Sequence, residues 1–389
     1  MKTPRLDLKH TCIGVIGGGQ LGRMLVMAAR RMNLRSVVWT GALEAPAACL
    51  ADEVVDLPFD DPAALARFCT LATVATVEFE NIPVAVLEAV EAQVPIHPSP
   101  QCVSICQNRA REKAFLSRHA IPCAPHALVR SAGELAAAIE QLGPGMLKTA
   151  DFGYDGNGQI RVRGDEDAGQ VWEHFAAPAG IYEQWVSYEK ELSIMVARGA
   201  DGEVVCHDVV ENRHREQILD LTIAPAQVPV VVADQAAAIA RRIVEAMDYR
   251  GIMGVEFFLL PGGGLVVNEM APRPHNSGHH TMNACITSQF EQQLRAVLGL
   301  PLGSTRLVSP VVMLNLLGDL WPAEGSEPDW NPLFADGAAH LHLYGKSRAS
   351  ARRKMGHANF LGTDALPRAL ALKQRWLAEA GAEKLASVG

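Results

Sequence analysis

Residues 254–270, "GVEFFLLPGGGLVVNEM", restrict the fold more than any other stretch. Two β-rich arms flank Pro261-Gly262-Gly263-Gly264, which turns the chain back on itself as a hairpin. A turn centred between Gly262 and Gly263 sets Glu256 directly opposite Glu269. Opposed residues share a sheet face, with Cβ atoms about 5 Å apart. Two bare carboxylates at that spacing repel, and an apolar ribbon gains nothing from them. Two Mg²⁺ ions about 4 Å apart remove the conflict, with Asn268 offering a neutral oxygen as a further ligand. The plain alternative is a pair of acids facing solvent at a sheet edge.

The chain opens with an α/β texture. "CIGVIG", "RSVVWTG", "VATVEFE" and "VPIHP" read as strands, alternating with helical "LGRMLVMAARRM", "DPAALARFCTLA" and "IPVAVLEAVEA". This order implies an open parallel sheet, a Rossmann-like domain over residues 1–105. Residues 106–300 read as α+β, led by the charged amphipathic helix "CVSICQNRAREKAFLSRHA", and 301–389 as a small third domain. The boundaries fall at "VPIHPSPQ" and "GLPLGSTRLVSP".

Gly17, Gly19 and Gly22 satisfy G-x-G-x-x-G after the first strand, the fingerprint of dinucleotide sites. The acid that would hold a ribose is missing, because the second strand ends in Trp39, Thr40 and Gly41 and the nearest acid is Glu44. Backbone N–H groups at the helix start can still hold a phosphate or another anion. A tight turn with no ligand is the remaining reading. "MLKTADFGYDGNGQI" sets Lys148 in a strand just ahead of Gly153, Gly156 and Gly158, without a Walker A Gly-Lys-Ser/Thr. Such glycines fit a hairpin turn, and a glycine hairpin can also close over phosphates while a strand lysine supplies charge. With the carboxylate pair further along, the reading is an ATP–Mg²⁺ site.

Charge balance narrows the partners. Forty-three acids against 35 lysines and arginines, net −8, exclude a broad nucleic-acid surface. Eight cysteines without a C-x-x-C pair argue against a zinc or disulfide framework. "MKTPRLDLKH" lacks the apolar core of a signal peptide, and no run approaches the ~18 apolar residues of a membrane span. A cytoplasmic protein with no membrane contact is expected. His275 and His279 stand at i, i+4, but "APRPHNSG" is a loop by its Pro, Asn and Gly, which disfavours a helical zinc pair. Lys346, Arg348, Arg352, Arg353 and Lys354 crowd five cations into nine residues, on composition alone a solvated loop.

Together these pieces resemble the ATP-grasp superfamily, in which two α+β lobes hold ATP between them. Within it, the chain is similar to the N5-carboxyaminoimidazole ribonucleotide synthetases of purine biosynthesis. The likeness lies in "GGGQLGRM", "VEFENIP", "HPSP", "GYDGNGQ", "NEMAPRPHNSGHHT" and "HLYGKSRASARRKMGHAN", from residue 17 to 359. It implies ATP-dependent carboxylation of aminoimidazole ribonucleotide with bicarbonate, through carboxyphosphate, by a homodimer using two Mg²⁺ ions. It also implies a two-lobed central domain between the Rossmann-like and C-terminal ones.

The resemblance carries roles onto matching positions. Arg109 and Lys148 would contact the ATP phosphates, and Gly153, Tyr154, Asp155, Gly156, Asn157, Gly158 and Gln159 would cover them. Glu183, Gln184, Trp185 and Val186 would line the adenine, largely through backbone groups, with Glu191 on the ribose and His214 on the nucleotide. Glu256 and Glu269, assisted by Asn268, would hold Mg²⁺. Gly19, Gln20, Glu78, Tyr154 and Asp155 would meet the ribonucleotide. So would Arg273, His275, Asn276 and Ser277, with Lys346, Arg352 and Arg353 from the last domain. Lys148, Tyr154, Asp155, His275 and Arg353 are the implied catalytic set, with Asp155, Glu78 and His275 left open as the base. Asn157 stands where a lysine or arginine is usual, and His280 where a tyrosine is. A formate-dependent glycinamide ribonucleotide transformylase, a biotin carboxylase-like protein and a dinucleotide-dependent oxidoreductase are the rival readings.

Overall fold

The computed structural model describes residues 7–151, 158–322 and 326–386. Strands β1 (Cys12–Ile16), β2 (Arg35–Trp39), β3 (Glu53–Val55) and β4 (Val74–Val77) form a parallel sheet in the order β3-β2-β1-β4. Their Val/Ile-rich runs are buried on both faces, as helix-covered parallel strands require. β3, three residues long, is too short to show a period and was not expected. "VPIHP" supplies one bridge, Ile96 to Ala75, and no full strand, because Pro95 and Pro98 cannot donate to a ladder.

The single amphipathic helix expected next is two helices, Pro100–Gln107 and Arg109–Arg118. Asn108 between them is extended (φ −127°, ψ 118°) and caps the second. Its side chain accepts from the Arg111 N–H at 2.9 Å and donates to Asp151 at 2.7 Å. The charged face of this second helix points inward. Arg109, Glu112 and Lys113, at i, i+3 and i+4, are all buried.

β5 (His126–Val129), β6 (Gly145–Thr149), β7 (Gln159–Val162) and β8 (Gly180–Gln184) make an antiparallel sheet, order β5-β8-β6-β7. Helices Ala132–Leu142 and Ala168–Phe175 seal its back through Leu135, Ala138 and Phe175.

The largest sheet has nine strands. These are β9 (Lys190–Arg198), β10 (Val204–Cys206), β11 (Val210–Arg215), β12 (Ile218–Ala224), β13 (Gly251–Leu259), β14 (Leu265–Ala271), β15 (Val311–Leu317), β16 (Ala339–Leu343) and β17 (Lys354–Leu361). They run β14-β13-β9-β11-β12-β15-β17-β16, with β10 on β9. The strands after residue 310 therefore extend this sheet through the β12–β15 pair. Helix Val230–Ala246 buries Val232, Ala236, Ile239, Ala240, Ile243 and Val244 against it. Helix Gln289–Leu298 ties it to the first sheet. Phe290, Leu294 and Val297 share a core with Ile13, Val15 and Leu25. Gln293 accepts from the Ile252 N–H at 2.6 Å and donates to Thr76 Oγ1 at 2.7 Å.

Buried histidines line the join with the last segment. The rings of His279 and His357 lie 4.8 Å apart, and those of His342 and His357 stack at 4.5 Å. Burial drops His280 and His342 to about 4, and His279 and His357 well below their usual range. Burial likewise depresses His97, His207 and His275. Such groups are neutral when folded and protonate near pH 6.5 when unfolded, so their stabilisation is full above that pH and is lost as pH falls towards 4. Five groups oppose this. Glu112 and Glu256 are raised to about 7 by burial, Glu78 and Asp208 are raised by burial, and His214 is raised against burial by Glu191. The seven histidines outnumber these, so the urea midpoint should fall between pH 7 and pH 5, and His342→Gln should flatten that slope. A midpoint that rises on acidification would contradict this balance.

Candidate active site

β13 and β14 form the expected hairpin, but its turn sits elsewhere. Leu259 pairs with Leu265, Phe258 with Val266 and Phe257 with Val267, which centres the turn on Gly262. The Gly263 N–H donates to Leu260 O at 3.0 Å, and Gly262 and Gly263 take φ of +90° and +88°, a region that favours glycine. Continued unbroken, that register would set Glu256 against Asn268. A β-bulge shifts the pairing by one residue after Glu256, and Glu256 faces Glu269 after all. Because two residues of a bulged strand oppose one on its neighbour, Asn268 and Glu269 can serve one face together. All three line one cavity of about 790 Å³. The solvent-edge alternative is thereby removed.

At one end of the cavity, Lys148 on β6 and Glu183 on β8 are 8% and 4% exposed. Lys148 Nζ lies 2.9 Å from Glu183 Oε2, and Lys113 Nζ lies 3.5 Å from the other carboxylate oxygen. Burial alone would raise Glu183, but Lys148 and Lys113 overcome it and hold the carboxyl at about 2. Burial pushes Lys148 down. The Glu183 side chain is thus a counter-charge for two lysines. Arg109 Nη1 stands 3.7 Å from Glu269, and Lys113 also donates to Asn268 O at 3.1 Å. Burial, then the charge of Glu269, raises Glu256 to about 7.

Beyond Glu183 the chain crosses between the two antiparallel sheets. Gln184, Trp185 and Val186 line the cavity, with the Gln184 and Trp185 N–H groups donating to Pro125 O and Pro144 O, each at 2.8 Å. The Arg161 guanidinium lies 4.1 Å above the Trp185 ring. Glu191 on β9 accepts from Tyr188 Oη at 2.6 Å and pairs with His214 of β11. Gln159 pairs with Lys148 across β6–β7, and Gly158 O accepts from the Thr149 N–H at 2.8 Å. Gly153, Tyr154, Asp155, Gly156 and Asn157 lie outside the described residues.

The far end is built on the first sheet. Gln20, Glu78, Arg273, His275 and Asn276 all line the cavity. The glycine turn is not an open anion cradle. Glu78 accepts from the Gly19 N–H at 2.8 Å and the Gly22 N–H at 3.1 Å, so a protein carboxylate occupies the donors expected to hold a phosphate. Glu80 grips Arg273 through two hydrogen bonds, one of 2.9 Å, and Arg273 holds Glu80 at about 2 against burial. Gln289 clamps the His275 backbone, accepting from its N–H and donating to its carbonyl, each at 2.8 Å. Asn276 is buried, and among the described residues neither atom of its amide has a hydrogen-bond partner. Ser277 lies behind His275 and outside the cavity wall, its Oγ 2.9 Å from His275 Nδ1.

The C-terminal cations divide. Lys354 lines the cavity, whereas Lys346, Arg352 and Arg353 do not. Glu44 holds Arg353, and it also accepts from the Ser347 N–H and Oγ, each at 2.9 Å, which seats this loop beside the first domain. Arg352 turns to a separate cavity of about 180 Å³ and donates to Glu216 O at 3.1 Å. Lys346 Nζ lies 5.8 Å from the Tyr344 ring centroid. Four participants escaped the sequence reading: Lys113, Glu80, Arg161 and Gln289, while Lys354 was noted only as one of the five clustered cations. Only Lys113 had a local signal, its i+4 spacing from Arg109.

Among the described residues no group of three or more His, Cys, Asp or Glu is placed to hold a metal, and no helix is long and apolar enough to cross a membrane. The facing sheets, with Lys148 on one and the Glu256–Glu269 ribbon on the other, are those of an ATP-grasp enzyme. Residues 114–290 match the ATP-grasp domain family, 10–107 the ribonucleotide synthetase preATP-grasp domain, and 311–368 the phosphoribosylaminoimidazole carboxylase C-terminal domain. The N5-carboxyaminoimidazole ribonucleotide synthase of Brucella melitensis is 43% identical over 353 residues, 89% of this chain and 94% of that one. The synthetase structure from Thermus thermophilus superposes with a TM-score of 0.87 at 38% identity, covering 94% of this chain and 99% of that one. An Aspergillus clavatus synthase in complex with ADP and 5-aminoimidazole ribonucleotide gives 0.85 at 33% identity, covering 94% and 99%. The chain belongs to the N5-carboxyaminoimidazole ribonucleotide synthase family.

Glu183→Gln would leave two buried ammonium groups facing each other without a counter-charge. Urea denaturation should report a loss of about 3 kcal/mol or more. Adding Lys148→Met should restore part of it, as a double-mutant cycle would show. Additive losses would mean that Glu183 and Lys148 do not act as a pair.

Proposed function

We propose that this protein carboxylates 5-aminoimidazole ribonucleotide with bicarbonate at the expense of ATP, giving N5-carboxyaminoimidazole ribonucleotide, ADP and phosphate in purine biosynthesis. The observation that carries this reading is the opposed Glu256–Glu269 pair, with bulged Asn268, in one cavity with Lys148, Arg109, Arg273 and His275. The relatives' names and the Aspergillus clavatus complex supply the substrate class. Proposed roles follow the three stretches 1–105, 106–300 and 301–389.

Bicarbonate is a poor electrophile with a bad leaving group. Phosphorylation by ATP makes carboxyphosphate, whose leaving group is phosphate. Lys148 and Arg109 are set to stabilise negative charge on the transferring phosphoryl oxygens. The donor set of two carboxylates and one amide oxygen suits Mg²⁺, which takes few protein ligands and completes its shell with phosphates. The elevated Glu256 fits a site awaiting cationic charge. Held by Glu256, Glu269 and Asn268, two Mg²⁺ ions would neutralise and orient the phosphates. The exocyclic amine of the ribonucleotide then attacks the carbon of carboxyphosphate, or of CO₂ released from it, forming the N–C bond of the carbamate as phosphate leaves and the amine proton passes to a base.

Arg273, His275, Asn276 and Gln20 are the proposed ribonucleotide contacts, with the unpartnered Asn276 amide offering a donor and an acceptor. Lys346, Arg352 and Arg353 are proposed at the outer rim, reached through the loop that Glu44 seats. Tyr154 and Asp155 belong to the proposed covering loop. A cytoplasmic homodimer without nucleic-acid or membrane partners completes the proposal on family resemblance, and sedimentation at micromolar concentration tests the dimer.

Coupled ADP release with purified protein, omitting each substrate in turn, tests the reading. Release should require bicarbonate and aminoimidazole ribonucleotide together, and formate or biotin should not replace them. Glu269→Ala should lower Mg-ATP turnover by roughly a hundredfold or more with the fold intact. Full activity in that variant would remove the two-metal site. Arg353→Ala should raise the ribonucleotide KM more than the ATP KM, and an effect confined to ATP would misplace that cation.

A further inference from the structure

A buried chain of hydrogen bonds runs from the middle of the nine-stranded sheet to His275. Thr222 Oγ1 donates to Asn212 Oδ1 at 3.1 Å, and Asn212 Nδ2 donates to Ser193 Oγ at 2.9 Å. Ser193 Oγ lies 2.8 Å from Ser277 Oγ, and Ser277 Oγ lies 2.9 Å from His275 Nδ1. Thr222, Ser193 and Ser277 are wholly buried, and Asn212 is 4% exposed. Bulk solvent does not reach these groups, so each hydroxyl proton is directed to a protein acceptor.

The direction of the chain is set at its histidine end. The Ser277 N–H also donates to His275 Nδ1, at 3.4 Å. A nitrogen that receives a backbone N–H must present its lone pair and cannot carry a proton of its own. Ser277 Oγ–H therefore donates to Nδ1, Ser193 donates to Ser277, and Asn212 donates to Ser193. The proton of neutral His275 is left on Nε2. That nitrogen stands 3.4 Å from Glu256 Oε1 on the cavity side.

We propose that Ser277, Ser193, Asn212 and Thr222 are positioning residues that lock His275 in its Nε2–H tautomer. His275 is then a hydrogen-bond donor into the cavity, aimed at an anionic oxygen of the carboxyl or phosphoryl group handled there. It is not the base that removes the amine proton, because its cavity-facing nitrogen already carries one. The donor role rests on the function proposed above, whereas the tautomer does not. Gly254 supports the arrangement. A Cβ there would come within 2.7 Å of His275 Cβ, and the ring could not keep this seat.

The test uses full-length protein labelled with ¹⁵N-histidine, with His275→Gln identifying the His275 signals. The two-bond ¹H–¹⁵N spectrum should show Nδ1 unprotonated and Nε2 protonated. In Ser277→Ala the 2.9 Å hydroxyl is lost and only the long backbone N–H contact at 3.4 Å still favours Nε2–H, so the Nδ1–H form should appear as a minor population. There kcat should fall roughly 10- to 100-fold while the ATP KM stays within about threefold. Ser277→Thr, which keeps the hydroxyl, should recover most of kcat. Thr222→Val, nearly isosteric at the far end, should produce a smaller loss of the same kind. A wild-type His275 protonated at Nδ1 would overturn the proposal. So would Ser277→Ala with unchanged kcat, or with a loss confined to KM. An Nε2–H histidine in a protein that carboxylates nothing would uphold the lock and remove only the function beneath it.

Discussion

Charge compensation in a buried cleft is the constraint around which this protein is organised. Lys113 and Lys148 converge on Glu183, Arg109 on Glu269, and Arg273 on Glu80, all within or beside one cavity. Charges removed from water in this way are tolerated only when each finds an opposite and the remaining hydrogen bonds are met. The exception is the Glu256–Glu269 pair, where like charges face each other across two strands and burial already raises Glu256. That imbalance is what the proposed Mg²⁺ ions and polyphosphate would neutralise.

The sheets hold these charges at fixed separations. Lys148 and Glu183 come from adjacent strands β6 and β8, and Glu191, His214, Glu256 and Glu269 from the nine-stranded sheet opposite. The Arg109–Arg118 helix brings its charged face into the gap, with Asn108 setting where that helix begins. Gln289 and Gln293, from one helix, fasten the His275 loop, β13 and the first sheet together. A shift of any layer would strand a buried charge, which couples the stability of the fold to the geometry of the site.

The two ends of the cavity differ in chemistry. Around Lys148 the donors are cationic and the crossing between the sheets is lined by Trp185 and Val186, the end proposed for the nucleotide. Around His275 the charges of Arg273 and Glu80 are already paired, the ring itself is clamped by neutral amides and hydroxyls, and among the described residues the Asn276 amide is unpaired. Neutral, directional groups of this kind orient a substrate without adding charge to an already crowded site.

Much of this was legible in the chain itself. Alternating strands and helices and the motifs from "GGGQLGRM" to "RRKMGHAN" were enough for the fold class and the family, and the glycine hairpin was legible, but its register was off and the two acids face each other only because a bulge makes up the difference. These signals are local, carried by periodicity, turn residues and spacing. The bulge at Asn268 was not legible, since it depends on Lys113 and on strands β9 and β14 flanking β13. Nor was the capture of the glycine turn by Glu78, 59 residues from Gly19. The inward charged face of Arg109–Arg118 and the split of the C-terminal cations belong with these, because a charged side chain looks the same in sequence whether water or a buried counter-ion awaits it. Sequence determined which groups are present; only the packing of three sheets decided which of them meet, because long-range contacts leave no period along the chain.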